Sequence, residues 1–315
     1  MAEYKWRVPQ PVQPAINAAT RLCAVYGSPI RHSASPAMHN AAFAALGLDW
    51  RYLAFEVDPK KLRAAIEGAK AMGFAGINLT VPHKLLAVDM VDALDESAKH
   101  WGAVNTIKFD GSAGGSPASS SGHAGEPPAL HEIRAVGFNT DADAIITSLR
   151  EDLKLEPRGA RVLLLGAGGA GQTAALRLAA EKVAELFLVN RTETKAHAVA
   201  GEIIERFPAV KVSVGYPKTP VDLVINATSL GLKAGDASAL DEQQFSLKQT
   251  AAVYDMIYRP AETTLLRTAR TAGCRTANGL GMLLHQGARA FEIWTGHPAP
   301  LEVMRRALEQ NIYGH

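Results

Sequence analysis

Short apolar runs alternate along this chain with longer stretches in which apolar positions recur every three or four residues. The first pattern predicts buried strands, the second amphipathic helices. In the first half, strands are predicted at Leu22–Tyr26, Trp50–Glu56, Phe74–Leu79 and Val104–Phe109, and ordered chain resumes over Val136–Thr140. Between and after them, helices are predicted at Ala37–Leu46, Pro59–Met72, Lys84–Met90, Ser97–Trp101 and Asp141–Asp152. Ser35 is placed as the N-cap of the first helix and Pro36 at its first helical position. Leu62, Ala65, Ile66 and Ala69 share one face of the second. In the second half, strands are predicted at Val162–Leu165, Leu186–Asn190, Val210–Val214, Leu223–Ala227 and Val253–Ile257. Helices follow at Gln172–Ala180, Glu193–Arg206, Thr263–Ala272, Leu283 to about Trp294, and Leu301–Gln310. Alternation of this kind predicts an α/β fold built on open sheets.

One junction stands apart. The run Val162-Leu163-Leu164-Leu165 leads straight into Gly166-Ala167-Gly168-Gly169-Ala170-Gly171, and a helix follows. Strand, G-x-G-x-x-G turn and helix together form a dinucleotide-binding pattern. The first glycine allows the tight turn, the second lets the backbone approach a pyrophosphate, and the third lets helix and strand pack closely. The helix N-terminus adds unpaired N–H groups and partial positive charge.

Composition narrows the classes. A chain of 315 residues exceeds one compact core, so two domains are expected. Its 33 basic and 31 acidic residues leave a net charge of +2, which gives no electrostatic argument for nucleic acid or an acidic membrane surface. Cys23 and Cys274 lie far apart and fit no zinc or disulfide pattern, so both read as small buried apolar residues. No apolar run has the length of a bilayer span and Met1–Gln13 lacks a signal core, so a cytoplasmic location is expected. Residues 1–20 read as an extension outside the core. Residues 111–130, rich in Gly, Ser, Ala and Pro, read as a mobile and dispensable surface loop.

Polar clusters fall at the predicted strand ends, where ligands sit in open α/β sheets. They are Ser33 with Ser35, Asn78-Leu79-Thr80-Val81-Pro82-His83-Lys84, Ala103-Val104-Asn105-Thr106, Gly137-Phe138-Asn139-Thr140-Asp141, Asn226-Ala227-Thr228-Ser229, and Gln286. Together they suit a small polyhydroxylated acid and the movement of one proton. Taken singly, each has a plainer reading: the serines and asparagines as turn or cap residues, Lys84 as a solvated side chain, Asp141 as an N-cap.

His32-Ser33-Ala34-Ser35-Pro36-Ala37-Met38-His39-Asn40, Asn78 to Lys84, Gly102 to Thr106 and Gly137 to Asp141 resemble successive motifs of shikimate dehydrogenases. So do Gly166 to Gly171, Asn190-Arg191-Thr192, Asn226 to Gly231 and Gly279 to Gln286, all in order between Cys23 and Ala307. The resemblance implies a substrate-binding domain over 21–139, a Rossmann-like NADP-binding domain over 140–278, and C-terminal helices over 279–315 that pack on the substrate domain. It implies reversible hydride transfer from NADPH to the C3 carbonyl of 3-dehydroshikimate, giving shikimate, by a monomer or homodimer. By the same resemblance Ser33 and Ser35 hold the substrate carboxylate with Tyr258 nearby, and Thr80, Asn105 and Gln286 bond the ring hydroxyls. Lys84 and Asp141 form the catalytic pair. Cofactor contacts are implied for Gly166, Ala167, Gly168, Gly169, Ala170, Gly171, Asn190, Arg191, Thr192, Lys195, Ala227, Thr228, Ser229 and Gly279. The chemistry agrees, because a carbonyl receiving hydride becomes an alkoxide and needs a proton donor aimed at it.

The second Rossmann strand ends in Asn190-Arg191-Thr192 and not in the acidic residue that NAD enzymes place on the ribose. An arginine there can fork a 2′-phosphate, with Lys195 adding charge and Glu193 expected to face solvent. Departures from the family pattern are Ala142 where glycine usually follows Asn-Thr-Asp, the run at 111–130 and the N-terminal extension. The rival readings are an NAD-preferring quinate/shikimate dehydrogenase and a non-catalytic ligand sensor on the same scaffold. Ser35 weighs against the first, and the presence of both Lys84 and Asp141 against the second.

Overall fold

The computed structural model describes residues 13–111, 133–233 and 235–314. The first unit runs β1 (Arg21–Gly27), α1 (Ser35–Ala45), β2 (Trp50–Glu56), α2 (Leu62–Ala71), β3 (Gly76–Leu79), α3 (His83–Leu86), β4 (Ala93–Leu94), α4 (Glu96–Trp101), β5 (Thr106–Asp110) and β6 (Arg134–Phe138). Helix α5 (Asp141–Asp152) crosses to the second unit. That unit runs β7 (Arg161–Leu165), α6 (Gly169–Ala180), β8 (Glu185–Val189), α7 (Glu193–Arg206), β9 (Lys211–Val214), β10 (Val221–Asn226), β11 (Thr250–Asp255), α8 (Thr264–Thr271) and β12 (Arg275–Asn278). Helices α9 (Leu280–Thr295) and α10 (Leu301–Tyr313) return to the first.

The second sheet is six-stranded in the order β12-β11-β10-β7-β8-β9, with every pairing parallel. This is the doubly wound order, and its switch point lies between β7 and β10. Continuous apolar runs such as Val162–Leu165 are needed because both faces are covered. One core lies under α5, α6 and α7; another lies on the side of α8. The first sheet, β2-β1-β3-β5-β6-β4, is mixed: β5 runs antiparallel to both β3 and β6. Helices α1, α9 and α10 cover one face, and α2 with α4 the other. The α/β expectation is met.

Several local readings change. Ser35 is not the N-cap of α1; Ala34 holds that place, and the Ser33 hydroxyl accepts the Ser35 amide at 3.4 Å. The helices predicted at 59–72 and 84–90 each contain a 3-10 turn, at Pro59–Lys61 and Ala87–Met90. Helix α9 begins at Leu280, so the predicted glycine turn shrinks to Gly279. The prediction lacked β4 and β12; the first is two residues long and the second, Arg275-Thr276-Ala277-Asn278, carries no apolar alternation.

Residues 13–20 do not stand clear of the fold. The Gln13 amide donates to Trp50 O at 3.0 Å, Arg51 donates to Pro14 O, and Asn17 and Thr20 both bond Asp49. Residues 112–132, which hold most of the low-complexity run, lie outside the described residues. The run joins β5 to β6, and Asp110 pairs with Arg134 at that end, whereas Asn105 and Asn139 flank the opposite end of the two strands. Among the described residues no helix is long and apolar enough to cross a membrane. Both cysteines are buried.

One core feature sets a pH dependence. His39 is fully buried, stacked on Tyr52 at 4.3 Å between ring centroids and tilted against Trp294, and neither ring nitrogen has a hydrogen-bond partner among the described residues. Burial pushes its imidazole down to about 3. Below the ordinary value near 6.5 the unfolded chain binds a proton that the folded chain refuses, so this contribution to stability is lost as pH falls from about 6.5 toward about 3. At pH 5 the loss is roughly 2 kcal/mol. Urea unfolding of wild type and His39→Phe at pH 7.5 and pH 5 is expected to show the variant losing less by about that amount. Equal losses refute the assignment.

Candidate active site between the two sheets

The glycine turn is formed as its spacing requires. Gly166 has φ +107°, a left-handed conformation, and a Cβ there would sit 2.9 Å from Ala227 O. At Gly171 a Cβ would sit 2.1 Å from Gly166 O, so the helix closes tightly on the strand. A Cβ at Gly168 meets nothing within 4 Å, which leaves this face of the turn open. Helix α6 makes its first bond from Gln172 N to Gly168 O, so the amides before it point out of the helix unpaired by it. The cradle therefore fits a pyrophosphate. Two amides of the turn are already used: Gly166 N donates to Val189 O and Ala167 N to Asn190 Oδ1 at 3.0 Å. Asn190 also donates to Thr192 O, so its side chain fastens the end of β8 to the glycine turn. Arg191, Thr192, Glu193 and Lys195 are exposed at the start of α7. Across the switch point, Thr228 is braced by Asn226, whose Oδ1 accepts its amide at 2.9 Å and its hydroxyl at 2.7 Å. Ser229 is exposed beside it and Ala227 half-buried. A Cβ at Gly279 would collide with Met256 O at 2.0 Å.

In the first sheet, Lys84 Nζ donates to Asp141 Oδ2 at 2.7 Å, and the pair is largely shielded, with side chains 16% and 5% exposed. Lys84 comes from α3 and Asp141 from the first residue of α5, 57 positions apart. A buried polar chain runs beside them. The Ser35 hydroxyl meets the Tyr52 hydroxyl, which donates to Asn78 Oδ1 at 2.7 Å. Asn78 Nδ2 donates to Thr106 Oγ1 at 2.9 Å and Thr106 to Asn105 Oδ1 at 3.2 Å. Asn105 holds Thr140 twice, accepting its amide at 2.8 Å and donating to its hydroxyl at 2.9 Å. Asn139 Oδ1 then accepts the amides of Asp141 and Ala142, each at 3.1 Å.

Among the sequence-derived candidates, Ser33 lies half-buried next to Ser35, and the Tyr258 hydroxyl meets the Ala34 backbone between them. Thr80 is half-buried, with its methyl against Gly27. Gln286 turns its amide onto its own helix, at Leu283 O. Asn105 is 1% exposed, and most of its bonding capacity is spent on Thr140 and Thr106. The two halves approach closely: a Cβ at Gly169 would lie 3.8 Å from Leu85 Cγ, one residue after Lys84.

Sequence reasoning passed over Tyr52 and Asp255, and it placed Thr140 in a strand-end cluster without giving it the linking role beside Asn105. Asp255 is fully buried and accepts from Asn226 at 2.9 Å, Ile257 N at 3.0 Å and Thr263 at 2.6 Å. Burial pushes its carboxyl up while the three donors oppose that shift. The available signal was a polar residue at an inward strand position, as Tyr52 and Asp255 are, but strand patterning alone assigns no partner.

Comparison with known proteins places this arrangement. Residues 25–107 match the shikimate dehydrogenase substrate binding domain, residues 149–244 the shikimate / quinate 5-dehydrogenase family, and residues 279–309 the shikimate 5'-dehydrogenase C-terminal domain. The chain is 41% identical over 304 residues to a shikimate dehydrogenase (NADP(+)) of Moorella thermoacetica, covering 94% of this chain and 95% of that one. It is 36% identical over 308 residues to its counterpart in Methanopyrus kandleri, covering 96% and 99%. A crystal structure of a shikimate dehydrogenase in complex with NADP+ superposes with TM-score 0.80 at 36% identity, covering 96% of this chain and 99% of that one. Fold and matches together define a two-domain α/β oxidoreductase frame. The chain belongs to the shikimate dehydrogenase family.

The spending of Asn105 on Thr140 has a measurable consequence. Asn105→Ala leaves a buried amide, Thr140 N, without its acceptor, which costs about 1–3 kcal/mol. Chemical denaturation is expected to show that loss with no substrate present; a variant as stable as wild type shows that Asn105 is not structural.

Proposed function

We propose that this chain is an NADP-dependent shikimate dehydrogenase, reducing 3-dehydroshikimate to shikimate reversibly. The observation that carries the reading is the Lys84–Asp141 pair at 2.7 Å, one residue from Leu85, which comes up against Gly169 of the open glycine turn. NADPH, when bound, supplies the hydride. Gly168, Gly169, Ala170 and Gly171 at the start of α6 would hold its pyrophosphate and Arg191, Thr192 and Lys195 its 2′-phosphate, with Ala227, Thr228, Ser229 and Gly279 as further contacts. Asn190 and Ala167 act by fixing the turn's shape, since their polar groups bond one another.

Ser33 and Ser35 take the substrate carboxylate, with Tyr258 beside them, and Thr80, Gln286 and the unspent N–H of Asn105 take ring hydroxyls. The Lys84 ammonium stabilises the alkoxide forming at C3 and delivers its proton. Asp141 orients that ammonium, being itself fixed by the hydrogen bond its backbone N–H donates to Asn139 Oδ1.

Two measurements test the reading. Lys84→Ala is expected to lower kcat by roughly 10²-fold or more with a much smaller change in substrate KM; near wild-type turnover refutes the role. Arg191→Ala is expected to weaken NADPH about tenfold to a hundredfold, the worth of a lost charged hydrogen bond, and to leave NADH use nearly unchanged. Steady-state assays of both proteins with shikimate and quinate, each with NADP and NAD, decide it. Preference for quinate and NAD in the wild type supports the rival dehydrogenase, and loss of both cofactors alike removes Arg191 as the discriminator.

A further inference from the structure

Helix α10 ends in a turn whose polar side chains reach the loop that leaves β11, residues 256–263. Met304, Leu308 and Ile312 pack the helix against the core of the first unit, and the ring of Tyr313 joins them. The Tyr313 hydroxyl has polar neighbours. Asn278 Nδ2 donates to it at 2.9 Å, and it donates to Tyr258 O at 3.3 Å. The partners fix these directions, since a carbonyl oxygen can only accept. Asn278 spends its Oδ1 on Leu280 N at 3.1 Å and its Nδ2 also reaches Ala261 O at 2.9 Å. Two residues before Tyr313, Asn311 accepts from Arg259 twice, through its carbonyl at 2.8 Å and its Oδ1 at 3.1 Å. The same two loop residues meet the first unit. Arg259 Nη1 donates to His32 O at 3.3 Å. The Tyr258 hydroxyl meets the Ala34 backbone in a contact that favours the phenolate, so the Ala34 N–H is the donor. The proton of Tyr258 is thereby left for an acceptor beside Ser33 and Ser35. Residues 258 and 259 are held from two sides, by the loop 32–34 and by the last turn of α10.

We propose, resting on the assignment of Ser33, Ser35 and Tyr258 to the substrate carboxylate, that Tyr313 is a positioning residue for that subsite. Its hydroxyl fixes the Tyr258 carbonyl, and with it the place of the Tyr258 phenol against the two serines. No other donor to that carbonyl is present among the described residues. The ring and the hydroxyl of Tyr313 have separate tasks. The ring adds to the packing that docks α10, while the hydroxyl serves the loop. A phenylalanine keeps the first and removes the second, so docking and positioning can be told apart by one substitution. The cofactor side is buffered against that change. Without the Tyr313 hydroxyl, Asn278 keeps its bonds to Ala261 O and Leu280 N, and Gly279 beside it keeps its own bond to Ile257 O at 3.1 Å. The loss therefore falls on substrate binding and spares both the cofactor and the Lys84–Asp141 pair, which lies on other elements.

Tyr313→Phe is expected to raise the KM for shikimate about threefold to tenfold, the worth of one neutral hydrogen bond, with kcat and the KM for NADP nearly unchanged. In a Tyr258→Phe background, which already lacks the phenol being positioned, the same substitution is expected to add little. Hydrogen exchange without ligand is expected to quicken in peptides covering residues 256–263 and to stay as in wild type over α1 and α9. An unchanged KM for shikimate overturns the proposal. So do increases in KM that multiply in the double variant, because Tyr313 then acts independently of the Tyr258 phenol. A fall in kcat with KM unchanged overturns it too, by moving the effect from binding to chemistry. A wild type that turns over no shikimate refutes the assigned reaction instead. Exchange then decides alone: quickening confined to residues 256–263 upholds Tyr313 as the residue that positions this loop, and unchanged exchange removes it from that role.

Discussion

The first sheet depends on satisfying a row of buried polar side chains at the ends of its strands. Ser35, Asn78, Asn105, Thr106, Asn139, Thr140 and Asp141 are each no more than 6% exposed. A buried polar group without a partner costs more than its hydrogen bond returns. The chain meets this with one linked set of bonds from Ser35 through Tyr52, Asn78, Thr106 and Asn105 to Thr140. Because each inner member serves two neighbours, none of these can turn without orphaning another. The consequence reaches α5, the helix that leaves for the second sheet. The amides of Thr140, Asp141 and Ala142 are held by the carboxamides of Asn105 and Asn139, so the start of α5 is fastened to the first sheet. Asp141 is therefore aimed before Lys84 reaches it, and the ion pair settles on a fixed carboxylate.

The second unit uses the same device for a different purpose. Asn190 fastens the end of β8 to the glycine turn, and Asn226 fastens Thr228 while donating to Asp255. Asp255 in turn holds the start of the loop that carries Tyr258 and, through Thr263, the cap of α8. The loop that follows β10 and the loop that reaches Ala34 thus hang from one buried carboxylate. An asparagine can accept and donate at once, which suits a position where two loops of opposite need meet.

Much of this was legible in residue order, and the reasons differ by element. The parallel strands could be read because burial on both faces forces uninterrupted apolar runs, as in Val162–Leu165. The glycine turn could be read because two of its positions tolerate no Cβ in the folded chain. Helices α5 and α7 match their predicted bounds, each having a clear start signal and apolar periodicity. Strand β12 was not legible, because its polar residues are strand by pairing with β11 and not by pattern. Tyr52 and Asp255 were missed for a related reason. Alternation marks a position as inward but is silent on which donor waits there. Residues 1–20 misled through their three prolines, which signal irregular chain and say nothing of the contacts that Gln13 and Thr20 make with Trp50 and Asp49.

The departure at Ala142 has a physical reading in how the halves are joined. Ala142 is fully buried and belongs to the core beneath α5, α6 and α7, so its methyl is packed and not tolerated as excess. The next residue, Asp143, binds Arg177 of α6 at 3.0 Å. Arg177 also pairs with Glu181 at 2.6 Å and lies over the ring of Trp101, whose helix, α4, belongs to the first unit while its side chain packs in the second unit's core. On the other flank α5 crosses α9 so closely that a Cβ at Gly281 would lie 2.0 Å from Asp152 Oδ2. Ser148 sits at the same crossing, bonded to Asp152 at 2.6 Å and to the Tyr254 hydroxyl at 2.8 Å. The two units are thus joined by two crossing helices on one side and by the Trp101–Arg177 contact on the other. A glycine at 142 would loosen the first turn of α5 at the residue between the Asp141 carboxylate, which pairs with Lys84, and the ion pair that holds α6. Alanine makes that turn stiffer, so the geometry of Asp141 and the placement of the glycine-turn helix are set by one rigid element.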